Sequence, residues 1–157
     1  MPHRLYHLVA DRAAHRCEYC LAPEMSSNVQ FEVEHIRPRH LGGSDDESNL
    51  ALACRACNAS KYTAISGRDP ATGLLTRLFH PRTDDWDDHF VIDEQFGEGL
   101  GLTDVGRATV ARLSMNDTQQ RLARRFWIVT LRFPAEPVNH PDDATSSPRA
   151  ADDEVSS

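Results

Sequence analysis

No stretch of the sequence is apolar for long enough to cross a bilayer as a helix. No basic segment followed by an apolar core and a small-residue cleavage site opens the chain. Its start, MPHRLYHLVADRAAHR, is a short amphipathic pattern, and a cytoplasmic location is the expectation. Internal repeats are lacking, and so is excess positive charge. The formal net charge is −7, at first sight the wrong sign for a partner of polyanions. What remains is an ordinary globular balance, 39% apolar and 26% charged over 157 residues, in a length that suits one domain with a sizeable core.

The negative charge is local. Residues 1–68 carry eight basic and eight acidic side chains, residues 69–133 eight and ten, and residues 134–157 one and six. The last segment, PAEPVNHPDDATSSPRAADDEVSS, is almost free of large apolar groups and reads as a disordered acidic tail. The remaining body is near neutral, with room for a local basic patch. The expected organisation is a core over 1–68, an extension packed on it over 69–133, and the tail over 134–157.

Only four cysteines are present, and they form two identical pairs, Cys17-x-x-Cys20 and Cys54-x-x-Cys57. Paired C-x-x-C knuckles are the ligand pattern of a tetrahedral four-cysteine zinc site. Two disulfides are the alternative, favoured only in an oxidising compartment. The insert between the pairs must fold back on itself. Val29, Phe31 and Val33 alternate with Gln30, Glu32 and Glu34 as in a half-buried strand. HLGGSDDESN reads as a loop, LALAC as a second strand, and RACNASKYTAIS as a helix running on toward Gly67. One zinc would clamp this strand–loop–strand–helix unit to an N-terminal helix over 4–16.

The stretch FEVEHIRPRHLGGSDDESNLALACRACNASK resembles the HNH motif of the ββα-metal (His-Me finger) endonucleases, in the subgroup with a four-cysteine zinc cluster. The resemblance covers residues 17–61 strongly. The following GRDPATGLLTRLFHPRTDDWDDHF and GLTDVGRATVARLSMN are similar, less specifically, to the C-terminal extension of small bacterial HNH proteins. The implied fold class is α+β: a zinc-stabilised ββα core with an N-terminal helix and a mixed C-terminal extension. The implied activity is metal-dependent hydrolysis of phosphodiester bonds, with DNA the expected nucleic acid. A zinc-organised nucleic-acid- or partner-binding module without catalysis is the alternative.

The resemblance also assigns residues. His35 matches the general base, a role suited to a group that titrates near neutrality. Asn58 matches a ligand of a catalytic Mg²⁺ or Mn²⁺. Glu34 stands where the family usually has Asp as the other ligand. Asn49 matches the middle signature residue, expected to hold the His35 segment through backbone hydrogen bonds. In a regular strand Glu34 and His35 point to opposite faces, so both serve one phosphate only if the strand ends or bulges there. Arg37, Arg39, His40, Arg55 and Lys61 surround the motif as expected phosphate contacts.

Beyond residue 68, RDPATG reads as a turn, and HFVID and GLGLT as a two-stranded unit. Thr103 can cap one helix, and Asn116 or Asp117 a second over 118–132. On that helix Leu122, Phe126, Val129 and Phe133 recur at helical spacing as an expected core stripe. If the tail only solvates, a chain ending at Phe133 keeps its melting temperature and binds nucleic acid at least as tightly as the full chain. Thermal melts and a binding titration check this.

Overall fold

A computed structural model describes residues 3–134; the segment 135–157, and with it the expected disordered tail, lies outside the described residues. The fold is α+β, with five α-helices and three two-stranded antiparallel sheets among the described residues. No helix among the described residues is long and apolar enough to cross a membrane.

Helix α1 spans Tyr6–Arg12, shorter than expected, because Ala14 and His15 take positive φ and turn the chain into the first cysteine knuckle. Tyr6, Val9 and Ala10 are its buried face. Glu24 ties the knuckle back to the helix: Tyr6 Oη donates to its Oε1 at 2.6 Å, and its Oε2 lies 2.6 Å from His15 Nδ1.

Strand β1 (Glu32–His35) pairs with β2 (Leu50–Ala53), His35 opposite Leu50 and Glu32 opposite Ala53. The strand starts later than the alternation suggested, and Val29 is exposed. All four β2 residues are fully buried, because α1 and β1 cover it together with helix α2 (Arg55–Lys61). Cys54 is the N-cap of α2, its sulfur accepting the Cys57 N–H at 3.4 Å. The helix stops at Lys61, well before Gly67, since Tyr62 leaves helical space with φ 50°. The unit is the expected ββα.

The extension begins with a hairpin that the sequence reading reduced to its turn: β3 (Ser66–Arg68) and β4 (Leu75–Arg77). A short helix α3 (Trp86–His89) follows, then a second hairpin of β5 (Phe90–Asp93) and β6 (Glu98–Gly101). Helix α4 (Asp104–Arg112) packs on both hairpins. It is capped as expected by Thr103, whose hydroxyl accepts the Gly106 N–H at 3.0 Å. The Trp86 indole donates to the Tyr19 carbonyl at 2.8 Å, docking the extension on the first knuckle.

Helix α5 (Thr118–Thr130) corrects one expectation. Leu122, Phe126 and Val129 are 51%, 61% and 85% exposed, and only Phe133 of the stripe is buried. The inward face instead carries Arg124, fully buried, which donates to Gly97 O at 2.5 Å and Met115 O at 2.8 Å. Trp127 lies beside it, packed against Phe133. Helical spacing identifies an apolar stripe but not which face turns inward. Here two buried carbonyls that need donors are matched by the guanidinium.

Asp69 is fully buried and takes two hydrogen bonds from Arg107, Nε at 2.9 Å and Nη2 at 2.8 Å. The Arg107 bonds hold its carboxyl well below the usual range, against the upward push of burial. It thus joins the β3–β4 hairpin to α4. Asp69→Ala removes the pair and leaves Arg107 and the Ala71 N–H without their acceptor. It should lower unfolding free energy by about 2 kcal/mol, read from denaturant midpoints at constant slope. Because its folded-state pKa is depressed, the Asp69 contribution is complete above the unfolded carboxylate range and is lost as pH falls through the folded value.

Candidate active site and cysteine cluster

The two knuckles meet as expected. Cys17, Cys20, Cys54 and Cys57 are buried and free, with all four sulfurs within 4.8 Å of one another. Cys20 Sγ and Cys54 Sγ are 3.7 Å apart. A disulfide needs about 2.05 Å, whereas four sulfurs at ~2.3 Å from one tetrahedral zinc stand about 3.8 Å apart. The donor set and its spacing therefore fit one Zn²⁺. Burial pushes the Cys17 thiol well up, so a dry cluster of thiolates needs a cation to balance it.

Around β1 the structure sorts the two glutamates. Glu32 and Glu34 lie two residues apart on the face toward α2, where Asn58 and Lys61, three residues apart, meet them. Glu32 is exposed, and Asn58 Nδ2 donates to its Oε2. Glu34 is only 5% exposed. Its Oε1 accepts the Tyr19 hydroxyl, and its Oε2 takes Lys61 Nζ at 2.9 Å. Burial first, and the Glu34 charge second, raise the Tyr19 phenol well above its usual range, keeping it a donor. The Lys61 ammonium gives its remaining hydrogens to His35 O at 3.3 Å and Ile36 O at 3.2 Å.

Two expected roles meet different surroundings here. Lys61, the only lysine in the chain, is 1% exposed, so its charge goes to Glu34 and not to a surface. Both Glu34 oxygens are engaged inside the protein, and the carboxylate that faces Asn58 is Glu32. The sequence did hold a signal for this, since Glu32 shares the strand parity of Glu34. The E-H adjacency of the motif drew the assignment to Glu34 instead.

His35 ends β1, after which the chain bends. Its side chain is 18% exposed, and Nε2 lies 2.7 Å from Asp45 Oδ1. Arg39 reaches the same oxygen through Nε at 2.8 Å and Nη2 at 2.7 Å. His35, Asn58, Glu34, Arg39, His40 and Tyr62 line one open cavity of about 470 Å³, whereas Glu32 lines a second one of about 430 Å³ that shares Asn58 with it. Arg39 and His40 are exposed at the rim of the first, and Arg37 and Arg55 are exposed elsewhere on the surface. A larger hollow of about 530 Å³ between α4 and β6 contains Arg107, already committed to Asp69.

Asn49 makes the backbone bonds expected of it. Its Oδ1 accepts the Arg37 N–H at 2.8 Å, and its Nδ2 donates to Arg37 O at 2.9 Å and Ser44 O at 2.8 Å. The glycine pair lets the loop close this tightly. Gly42 has φ 83°, and a Cβ on Gly43 would stand 1.8 Å from Arg37 O and 2.9 Å from Asn49 Nδ2.

Residues 17–63 match the family model for HNH endonuclease, which points to a nuclease-type function and a nucleic-acid partner. No curated protein and no solved structure matches the chain. The matched segment holds both knuckles, β1, the pinned loop, β2 and all of α2. Residues 17–63 are thus a domain of the HNH endonuclease family, and its four clustered cysteines fit the zinc-binding subgroup.

Proposed function

We propose that the protein is a metal-dependent endonuclease that hydrolyses phosphodiester bonds of nucleic acid, DNA being the expected substrate, with His35 as general base. The observation that carries this reading is the meeting of His35 and Asn58 in one open cavity beside Arg39 and His40. A binding module has no use for an imidazole and an amide oxygen directed at a common space. Arg37, Arg39, His40 and Arg55, all exposed, would contact phosphates. A cytoplasmic setting, where thiols stay reduced, suits the four free cysteines.

In the reaction, water gives a proton to the His35 imidazole and its oxygen forms a bond to phosphorus. The bond from phosphorus to the leaving 3′-oxygen breaks. That oxygen keeps the electron pair and is protonated from solvent. The imidazolium returns its proton to solvent, which restores the base. Asn58, through its side-chain carbonyl, and Glu32 would hold a divalent cation. Their hard oxygen donors suit Mg²⁺ or Mn²⁺, which would supply Lewis-acid stabilisation of the phosphoryl oxygens. Glu34 contributes indirectly, by fixing Lys61 and hence the carbonyls of His35 and Ile36. Cys17, Cys20, Cys54 and Cys57 would hold a structural Zn²⁺.

Three substitutions and a metal analysis test this reading. Structural zinc is worth on the order of 10 kcal/mol of folding free energy, so Cys54→Ser should leave the protein unfolded or aggregated. Elemental analysis of the wild type should give about one zinc per chain, and a value below half would exclude the site. His35→Ala should cut plasmid cleavage by about 10²–10⁴-fold while zinc content, fold and affinity for nucleic acid stay near wild type. Asn58→Ala should lose activity that excess Mg²⁺ or Mn²⁺ partly restores, by mass action; His35→Ala should gain nothing from it. Undiminished cleavage by His35→Ala would leave the zinc-organised binding module as the better reading.

A further inference from the structure

We infer that Asp45 is the positioning residue of the His35 imidazole: its Oδ1 holds the ring as the Nε2–H tautomer, leaves Nδ1 as the basic nitrogen, and is itself held in place through Asn49. The catalytic consequence rests on the nuclease reading above; the tautomer does not.

An ionised carboxylate can only accept hydrogen bonds. With Asp45 Oδ1 2.7 Å from Nε2, that nitrogen must carry a hydrogen, since a bare lone pair would face the carboxylate's own. Arg39 Nε also comes within 3.3 Å of Nε2, but both nitrogens point at the same oxygen. Their separation is that of two donors sharing one acceptor. Hydrogen bonds from His35 first, and Arg39 next, hold the Asp45 carboxyl below its ordinary range, in keeping with an acceptor that stays ionised. Nδ1 has no hydrogen-bond partner among the described residues, so it is the nitrogen available to a water. When Nδ1 takes the proton from water, the positive charge of the ring develops against Asp45.

The loop explains why Asp45 is there at all. Asn49 Nδ2 grips Ser44 O, the residue just before Asp45, at 2.8 Å, and the same amide grips Arg37 on the other side. Asn49 is 8% exposed and immediately precedes Leu50, the β2 partner of His35. A closed ring results, from His35 across the ladder to Leu50, through Asn49 and Ser44 to Asp45, and back to the imidazole. The middle residue of the signature thereby acts on the first through a carboxylate outside it.

The test uses the full-length, zinc-loaded protein labelled with ¹⁵N, at a pH of about 8, where an ordinary imidazole is neutral. Two-bond ¹H–¹⁵N correlations report which ring nitrogen carries hydrogen, and His35→Gln identifies the His35 set among the eight histidines. Wild type should show Nε2–H and a bare Nδ1. Asp45→Ala, a change at a half-exposed loop position checked by zinc content, should populate both tautomers. It should also lower kcat on plasmid by about 10–10²-fold, less than the ~10⁴-fold loss at a buried triad carboxylate, with KM nearly unchanged. Nδ1–H in the wild type, or an unchanged Nε2–H form in Asp45→Ala, overturns the inference. So does a rise in KM alone, which would make Asp45 an organiser of phosphate contacts through Arg39. If wild type does not cleave, the nuclease reading falls, and the spectrum still decides the His35–Asp45 pair.

Discussion

Four sulfurs converging on one point are the constraint from which the rest of the architecture follows. Two of them come from a turn after α1 and two from the first turn of α2. The chain between must therefore double back, and an antiparallel β1–β2 ladder is the shortest way to do so. The clamp reaches further. Glu18, inside the first knuckle, donates its N–H to Leu52 O and accepts the Leu52 N–H on Oε2. Tyr19, one residue on, holds both Glu34 and the indole of Trp86. The knuckle thus fixes the strand that carries the imidazole and the extension behind it. Asn58, next to Cys57 in sequence, inherits its position from a sulfur ligand.

The site divides its charges between a dry side and a wet side. On the dry side Glu34, Lys61 and Tyr19 satisfy one another out of water, which sets the pitch of α2 against β1. On the wet side Glu32 and Asn58 keep polar atoms at the surface, beside exposed arginines. Strand parity makes this division possible, because the same face of β1 passes under the helix and then out past its flank. Arg39 and His40 line the cavity that holds the imidazole, so a near-neutral body still offers a polyanion local positive charge beside His35.

Much of this was legible in the residues. The paired C-x-x-C spacing gave the cluster, the alternation and the loop punctuation gave ββα, and Thr103 marked the start of α4. What the sequence could not convey were choices between equivalent faces. Glu32 and Glu34 have the same parity, and only the three-dimensional path shows that one is buried. Lys61 looked like a surface cation because lysine almost always is one, and its burial depends on a tyrosine 42 positions earlier meeting the same carboxylate. The α5 stripe had sound periodicity, yet two buried carbonyls, of Gly97 in the second hairpin and of Met115 just before the helix, drew Arg124 inward and turned the apolar residues out. Asp45 carried no signal, being one acid among several in a loop that reads as polar punctuation.

The Glu34–Lys61 pair also bears on how this domain can change over time. Removing either member strands the other charge in the core, a loss of about 3–5 kcal/mol, a large fraction of the stability of about 5–15 kcal/mol typical of a folded domain. Exchanging both for apolar side chains of matching volume is often neutral by the same reasoning. The two positions, 27 residues apart, are therefore accessible to joint replacement and nearly closed to stepwise replacement. A lineage that acquired the pair would tend to keep it even where an oily contact would serve α2 equally well, so its persistence would record a barrier between sequences and not an advantage of the charges themselves.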